Sequence, residues 1–137
     1  MKVLIDTNIL IDFILTREPY AFDAEKILFL CKSQKITGCV ASHSIMNIFY
    51  ILRKEYTPKE RRTILLNLSK ILEVIEIDGH KIENALKNEK FSDMEDCLQV
   101  ECAISSKCDY IITRNTKDFK ESNVSPIEPN EFLKKIR

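Results

Sequence analysis

Four acidic side chains punctuate this chain at places where an apolar stretch gives way to polar residues. Asp6 ends the run Val3-Leu4-Ile5, Asp93 and Asp96 open a helical stretch, and Asp118 follows Tyr110-Ile111-Ile112-Thr113 in the company of Asn115. Asp93 and Asp96, three apart, are neighbours on one helix face. Carboxylates that gather repel one another, which is costly unless a cation lies between them or solvent screens them. The chain has 2 histidines, and its 5 cysteines, Cys31, Cys39, Cys97, Cys102 and Cys108, include no CxxC pair. That composition excludes a thiolate or histidine-rich zinc centre, and the odd cysteine count argues against a disulfide framework, so the cysteines read as buried small hydrophobes. A cation at these acids is therefore held by oxygen, the preference of Mg²⁺ or Mn²⁺. Plainer roles exist for some of the acids. Asp6 alone reads equally as the cap of a turn, and Ser92 to Glu95 reads as a capping box whose acids favour the helix dipole. Neither role requires an acid at Asp96.

The elements that must carry these residues follow from hydrophobic spacing. Val3, Leu4 and Ile5 read as a short strand buried on both faces, with Asn8 as the N-cap of a helix carrying Ile9, Leu10, Asp12 and Phe13. Asp6 then lies outside the carboxyl end of a strand, where open α/β sheets bind ligands. Ala21, Ala24, Ile27, Leu28, Leu30 and Cys31 recur at helical spacing. Ile36 to Ala41 reads as a second buried strand, and Ser42 begins a helix with Ile45, Ile48, Phe49 and Leu52 as its stripe and Asn47 near the strand end. Thr57-Pro58-Lys59-Glu60 is a capping box with proline at the first helical position. Glu73-Val74-Ile75-Glu76-Ile77 alternates like a half-exposed strand toward a sheet edge. Asp78-Gly79 turns the chain into a short helix through Ile82, Ala85 and Leu86. The helix after Ser92 has Leu98, Cys102 and Ala103 as its stripe, with Ile104 beside it. Tyr110 to Thr113 is a further buried strand, and Val124 to Pro129 an extended segment before a terminal helical turn from Asn130 to Leu133. Strands alternating with helices, without repeats or linkers, predict a single α/β domain over residues 1–137 with a mostly parallel sheet.

Hydrophobic residues at 45% and charged residues at 31% describe a soluble globular protein. No apolar run approaches the ~20 residues of a membrane helix, and no signal precedes the first strand, so a cytoplasmic location is expected. The formal charge is zero and the pI about 6.7, which leaves no global field to attract nucleic acid. Local asymmetry remains. Arg53, Lys54, Lys59, Arg61, Arg62 and Lys70 cluster against Glu55 and Glu60, whereas Phe91 to Ala103 carries Asp93, Glu95, Asp96 and Glu101 with no basic residue. A basic flank beside an acidic pocket suits a polyanionic substrate with a bound metal. For the basic residues alone, a solvated helix face is the somewhat better account.

The order of motifs carries a resemblance. An apolar strand followed by Asp6-Thr7-Asn8, then Ser92-Asp93-Met94-Glu95-Asp96-Cys97-Leu98-Gln99, then Ile111-Ile112-Thr113-Arg114-Asn115-Thr116-Lys117-Asp118-Phe119, then Pro126-Ile127-Glu128-Pro129 before a last helix, resembles a PIN domain of the bacterial branch related to VapC-type toxin ribonucleases. Each motif alone is weak, but four in order across nearly the whole chain are fairly specific. The resemblance implies a three-layer α/β/α sandwich around a mostly parallel sheet. It also implies an acidic pocket for one or two Mg²⁺ or Mn²⁺ ions and hydrolysis of phosphodiester bonds in single-stranded RNA. Asp6 matches the first metal-binding acid, Asp96 the helix-borne acid, Asp93 an additional acid of this branch, and Asn115 or Asp118 the late acidic position. Thr7 and Asn8 match polar residues that support the first acid. Asp6, Asp93 and Asp96 are thus the expected metal ligands, Asp118 the residue expected to orient water, and Arg114 or Lys117 an expected phosphate contact.

Two positions depart from the pattern. Asn47 stands where relatives usually carry an acid on the helix after the second strand, and Asn115 occupies a position often held by Asp. An asparagine coordinates through its carbonyl but adds no negative charge, which lowers metal affinity. The expectation is a metal-dependent endoribonuclease, with the resemblance implying the toxin of a toxin–antitoxin pair and an antitoxin protein and a homodimer as partners. The alternative is a PIN-like module that binds RNA or protein without cutting. A serine hydrolase built on Ser42, His43 and Ser44 is disfavoured because no GxSxG elbow is present.

Overall fold

Apolar strands with polar ends, joined by amphipathic helices, close into a five-stranded sheet flanked on both faces. A computed structural model describes residues 1–136. Its strands are β1 (Lys2–Ile5), β2 (Thr37–Ala41), β3 (Glu73–Ile75), β4 (Tyr110–Ile112) and β5 (Ser125–Ile127). They run parallel in the order β3-β2-β1-β4-β5. The helices are α1 (Thr7–Ile14), α2 (Ala21–Lys32), α3 (Ser42–Ile51), α4 (Pro58–Ile71), α5 (Gly79–Lys87), α6 (Met94–Ser105) and α7 (Pro129–Lys135).

Central position explains the composition of β1. Val3, Leu4 and Ile5 are all fully buried because the strand has a neighbour on each side and helices above and below. Side chains alternate across a strand, so Val3 and Ile5 enter a cluster with Ile9, Leu10, Ile27, Ile48 and Phe132. Leu4 enters the opposite one with Val100, Cys102, Ile111 and Phe119. The expected three-layer α/β/α arrangement is the observed one. All five cysteines are free and buried. Among the described residues no helix is long and apolar enough to cross a membrane.

Most expected elements form, with three local corrections. The box at Thr57 is present in both directions, Glu60 N–H donating to Thr57 Oγ1 at 3.2 Å and Thr57 N–H to Glu60 Oε1 at 2.8 Å. The alternating segment at Glu73 is an edge strand, as read, but it ends at Ile75. The first correction concerns Asn8, which does not cap α1; the helix begins at Thr7, with Asp6 in extended backbone before it. The second concerns Ser92, since the N-cap of α6 is Asp93, whose Oδ1 accepts from Glu95 N–H at 2.9 Å. An Asx cap satisfies a free helix-end donor as well as serine does. The third is Ile104, which lies 44% exposed and off the buried stripe of α6.

Gly38 on β2 is required by packing. A Cβ there would stand 2.5 Å from Cys31 Sγ and 2.7 Å from Leu72 Cδ2. Both neighbours belong to a filled core, so Gly38→Ala forces side chains out of their rotamers. The substitution is expected to lower stability by about 1–3 kcal/mol. Urea denaturation checks this, through a reduced midpoint at unchanged slope.

Candidate active site

The carboxyl ends of β1 and β4 and the start of α6 meet at one edge of the sheet. β1 delivers Asp6, β4 runs into Thr113 and the loop carrying Asn115 and Asp118, and α6 begins at Asp93. Parallel pairing of β1 with β4, Ile5 opposite Ile112, sets Asp6 beside Thr113, and Asp6 N–H extends the ladder by donating to the Ile112 carbonyl at 3.0 Å. The result is a cleft of about 360 Å³ lined by Asp6, Thr7, Asn8, Asn47, Asp93 and Asp96, and also by Glu95, Gln99, Asn115 and Asp118. Side chains separated by more than a hundred residues in sequence therefore share one small space. Of the candidate site residues named from the sequence, Arg114 and Lys117 do not line it.

Asp6 is held from both sides. It is buried, and its Oδ2 accepts from Thr113 Oγ1 at 2.7 Å while its Oδ1 accepts from Gln99 Nε2 at 2.9 Å. Thr113 Oγ1 also accepts the Asn115 N–H at 3.0 Å, so one hydroxyl fixes both the acid and the loop that follows β4. A carboxylate oxygen has capacity beyond a single hydrogen bond, so these contacts orient Asp6 without exhausting it. Thr7 Oγ1 donates to Ser44 Oγ at 2.7 Å, tying α1 to α3. The His43 ring Nε2 lies 3.1 Å from the Glu95 carbonyl and ties α3 to α6. Burial, the largest influence on it, pulls His43 below its ordinary pKa.

Sequence reasoning gave no role to Gln99, Thr113 or Asp12. Gln99 lies three residues beyond Asp96, hence on the neighbouring position of the α6 face, and Thr113 is the first polar residue after an apolar strand. Both were visible signals. Asp12 was not, since it falls among the apolar residues of α1.

Arg114 takes a different part from the phosphate contact expected of it. Its Nε and Nη2 donate to Asp12 Oδ2 and Oδ1 at 2.7 and 3.1 Å, and its guanidinium lies 3.9 Å from the Tyr20 ring centroid. Asp12 is fully buried and has Arg17 as a second, longer partner at 3.8 Å. A bidentate pair of this kind is strong because the guanidinium fork and the carboxylate match in geometry, with the buried Asp12 charge compensated on both oxygens. Arg114 thus anchors the loop bearing Asn115 and Asp118 to α1. Lys117, the other expected phosphate contact, is exposed.

A family model described as a PIN domain matches residues 2–117. The chain belongs to the PIN domain family. Its backbone is similar to VapBC2 from Rickettsia felis bound to a DNA fragment from their promoter, with TM-score 0.67 and 19% identity over 93% of this chain and 98% of that one. It is similar to a toxin–antitoxin complex from Klebsiella pneumoniae, with TM-score 0.68 and 25% identity over 93% and 97% of the respective chains. It is also similar to VapBC-1 from nontypeable Haemophilus influenzae, with TM-score 0.66 and 18% identity over 95% and 99%. No curated protein matches it significantly by sequence.

The cleft of this PIN domain fits a hard divalent cation by its chemistry. Its donors are carboxylate and carboxamide oxygens, with no thiolate among them. Gln99 Oε1 is buried without a hydrogen-bond donor among the described residues, a free acceptor of the kind a cation satisfies. Asp96 carries the cost of crowding, its carboxyl pushed up to about 7 by burial first and then by the charges of Asp93, Asp6, Asp118 and Glu95. Among the described residues no three His, Cys, Asp or Glu side chains are already grouped as a metal cage. The acids share the cleft walls without closing on a point.

Asp96 makes the stability of this PIN domain depend on pH. Its folded pKa lies above the ordinary carboxyl value, so the folded state holds that proton more tightly than the unfolded chain. The corresponding stability is complete below the unfolded pKa and is lost as pH rises through about 7. The cation-free protein is expected to lose stability between about pH 4 and pH 7 through this group, and Asp96→Asn to remove that part of the loss. After allowance for solvent screening of a partly exposed group, the difference is about 1–2 kcal/mol. Thermal unfolding of both proteins in EDTA measures it.

Proposed function

We propose that this PIN domain is a divalent-cation-dependent endoribonuclease that hydrolyses phosphodiester bonds of single-stranded RNA, and that it is the toxin of a toxin–antitoxin pair. The observation that carries the reading is the meeting of Asp6 with Asp93, Asp96 and Asp118 in one cleft, at the strand ends where α/β sheets bind ligands. Asp6, Asp93 and Asp96 would hold Mg²⁺ or Mn²⁺. Asp6 is pre-oriented by Gln99 and Thr113, and Asp93 retains one carboxylate oxygen beyond the one engaged in the helix cap. When bound, the cation supplies Lewis acidity toward the phosphate and eases deprotonation of the attacking water. Asp118 is the acid assigned to orient that water. Asn47 and Asn115 offer neutral carbonyl oxygens and N–H donors, which suit a negatively charged phosphate better than two further carboxylates would. Thr7 and Asn8 complete the wall beside Asp6. The relatives from Rickettsia felis and Haemophilus influenzae were solved as VapBC and that from Klebsiella pneumoniae as a toxin–antitoxin complex; this supports an antitoxin protein as the partner.

A second reading has its own support. The two asparagines and the open spacing of the acids favour a module that binds RNA or protein without cutting. The discriminating experiment incubates purified protein with single-stranded RNA in Mg²⁺ or Mn²⁺, with Asp6→Asn alongside. Cleavage by the parent and not by the variant supports the nuclease. No cleavage, together with no heat of Mn²⁺ binding at millimolar concentration, supports the binding module.

A further inference from the structure

We infer that Tyr50 and Arg53 form a nucleobase-stacking and phosphate-binding platform at the rim of the acidic cleft, which selects unpaired RNA. This inference rests on the reading of the cleft as an RNA site. Tyr50 lies on α3 three residues beyond Asn47, so the two occupy neighbouring positions on one helix face. Both line the cleft. Tyr50 is 61% exposed, so its ring is accessible to a ligand at the cleft mouth. The Arg53 guanidinium lies 3.8 Å from the ring centroid, and its Nη1 donates to the Tyr50 carbonyl at 3.0 Å. The pair is thus preorganised as a flat cationic surface.

The other cation–aromatic pairs among the described residues differ in place or commitment: Lys26 over Phe22 and Lys135 over Tyr110 lie outside the cleft lining. Arg114 over Tyr20 is committed to buried Asp12, and Arg61 over Phe49 donates to the Phe49 carbonyl away from the cleft. Among the described residues Arg53 has no carboxylate within ion-pairing distance. Its neighbour Lys54 is exposed as well.

Charge explains why such a platform is needed. The cleft is lined by five carboxylates, Asp6, Asp93, Glu95, Asp96 and Asp118, and the whole chain has no net charge. A polyphosphate chain therefore gains nothing from the global field, and its attachment depends on local cations outside the acidic wall. Aromatic stacking accepts any base but only an unstacked one, and bases inside a duplex are already stacked. A ring at the mouth of the cleft, with an arginine over it, would hold the base next to the scissile phosphate and leave that phosphate over the acids.

The test measures affinity, separately from turnover. A fluorescein-labelled single-stranded RNA oligomer of mixed sequence is titrated with Asp6→Asn protein in Mg²⁺ and followed by anisotropy. Adding Tyr50→Ala is expected to weaken binding by about tenfold, and Tyr50→Phe to restore it. Arg53→Gln is expected to weaken binding and reduce the salt slope by about 0.7. The same RNA annealed to its complement should bind with an affinity that Tyr50→Ala does not change. Unchanged single-strand affinity in Tyr50→Ala, or an equal loss for the duplex, overturns the platform. Because these residues are exposed, misfolding is not the expected cause of any loss, and thermal unfolding of each variant checks it. If the parent cleaves RNA while Tyr50→Ala binds normally, the platform falls and the nuclease stands. If nothing is cleaved but Tyr50→Ala weakens single-strand binding, the platform stands and catalysis falls.

Discussion

Replacement of Asp6 by asparagine is expected to lower RNA cleavage by on the order of a hundredfold or more, with little change in fold. The carboxylate is the most enclosed acid of the cleft and the one oriented on both oxygens, by Thr113 Oγ1 and Gln99 Nε2. An asparagine keeps the shape and removes the charge. It also turns one acceptor into a donor, which meets either a hydroxyl or an amide donor. The Gln99 amide can rotate to present Oε1, at present without a partner, so the new carboxamide finds an acceptor. Hydrogen bonds to a charged group are worth about 1.5–3 kcal/mol and neutral ones about 0.5–1.5. The structural penalty should therefore be about 1 kcal/mol. Single-turnover cleavage and thermal unfolding, measured on the same preparations, separate the two effects. Equal cleavage by parent and variant would remove Asp6 from the reaction and the proposed nuclease with it.

Arg114→Leu should produce the largest loss of stability of any single change considered. It leaves Asp12 fully buried with Arg17 alone, 3.8 Å away and 40% exposed. Breaking a buried ion pair from one side costs about 3–5 kcal/mol, because the remaining charge stays desolvated. For a domain of this size that corresponds to a fall in Tm of roughly 10–15 °C. The double variant Asp12→Leu with Arg114→Leu removes both charges and should recover most of the loss, since well-packed apolar replacements of buried pairs are often neutral. Calorimetric Tm values for the two proteins decide the matter. An Arg114→Leu protein as stable as the parent would show that the pair contributes no clamp.

Several features of this PIN domain were legible in residue order. The alternation of apolar strands with amphipathic helices gives the layered architecture, and the alternating pattern of Glu73 to Ile77 gives its edge, although the strand stops at Ile75. The capping box at Thr57 and the buried free cysteines were readable from type and spacing alone. So was the place of Asp6, because an acid directly after a buried parallel strand emerges at the carboxyl edge, and so was the nearness of Asp93 to Asp96, three positions apart. These are local facts, fixed by strand and helix periods within a few residues.

Which residue pairs with which was not local. Asp93 rather than Ser92 caps α6, because two adjacent residues both offer suitable oxygens and the approach of the helix chooses between them. Arg114 follows the end of a strand at the cleft edge, yet Asp12, 102 positions away, captures it. Thr113 and Gln99 gain their hold on Asp6 only when β4 and α6 lie against β1. Sequence alone determined that Asp6 would stand at the carboxyl edge of a mostly parallel sheet. The tertiary structure decided how Asp6 is held and how strongly its neighbours burden Asp96, since hydrogen bonds and burial depend on distances between segments that no residue period encodes.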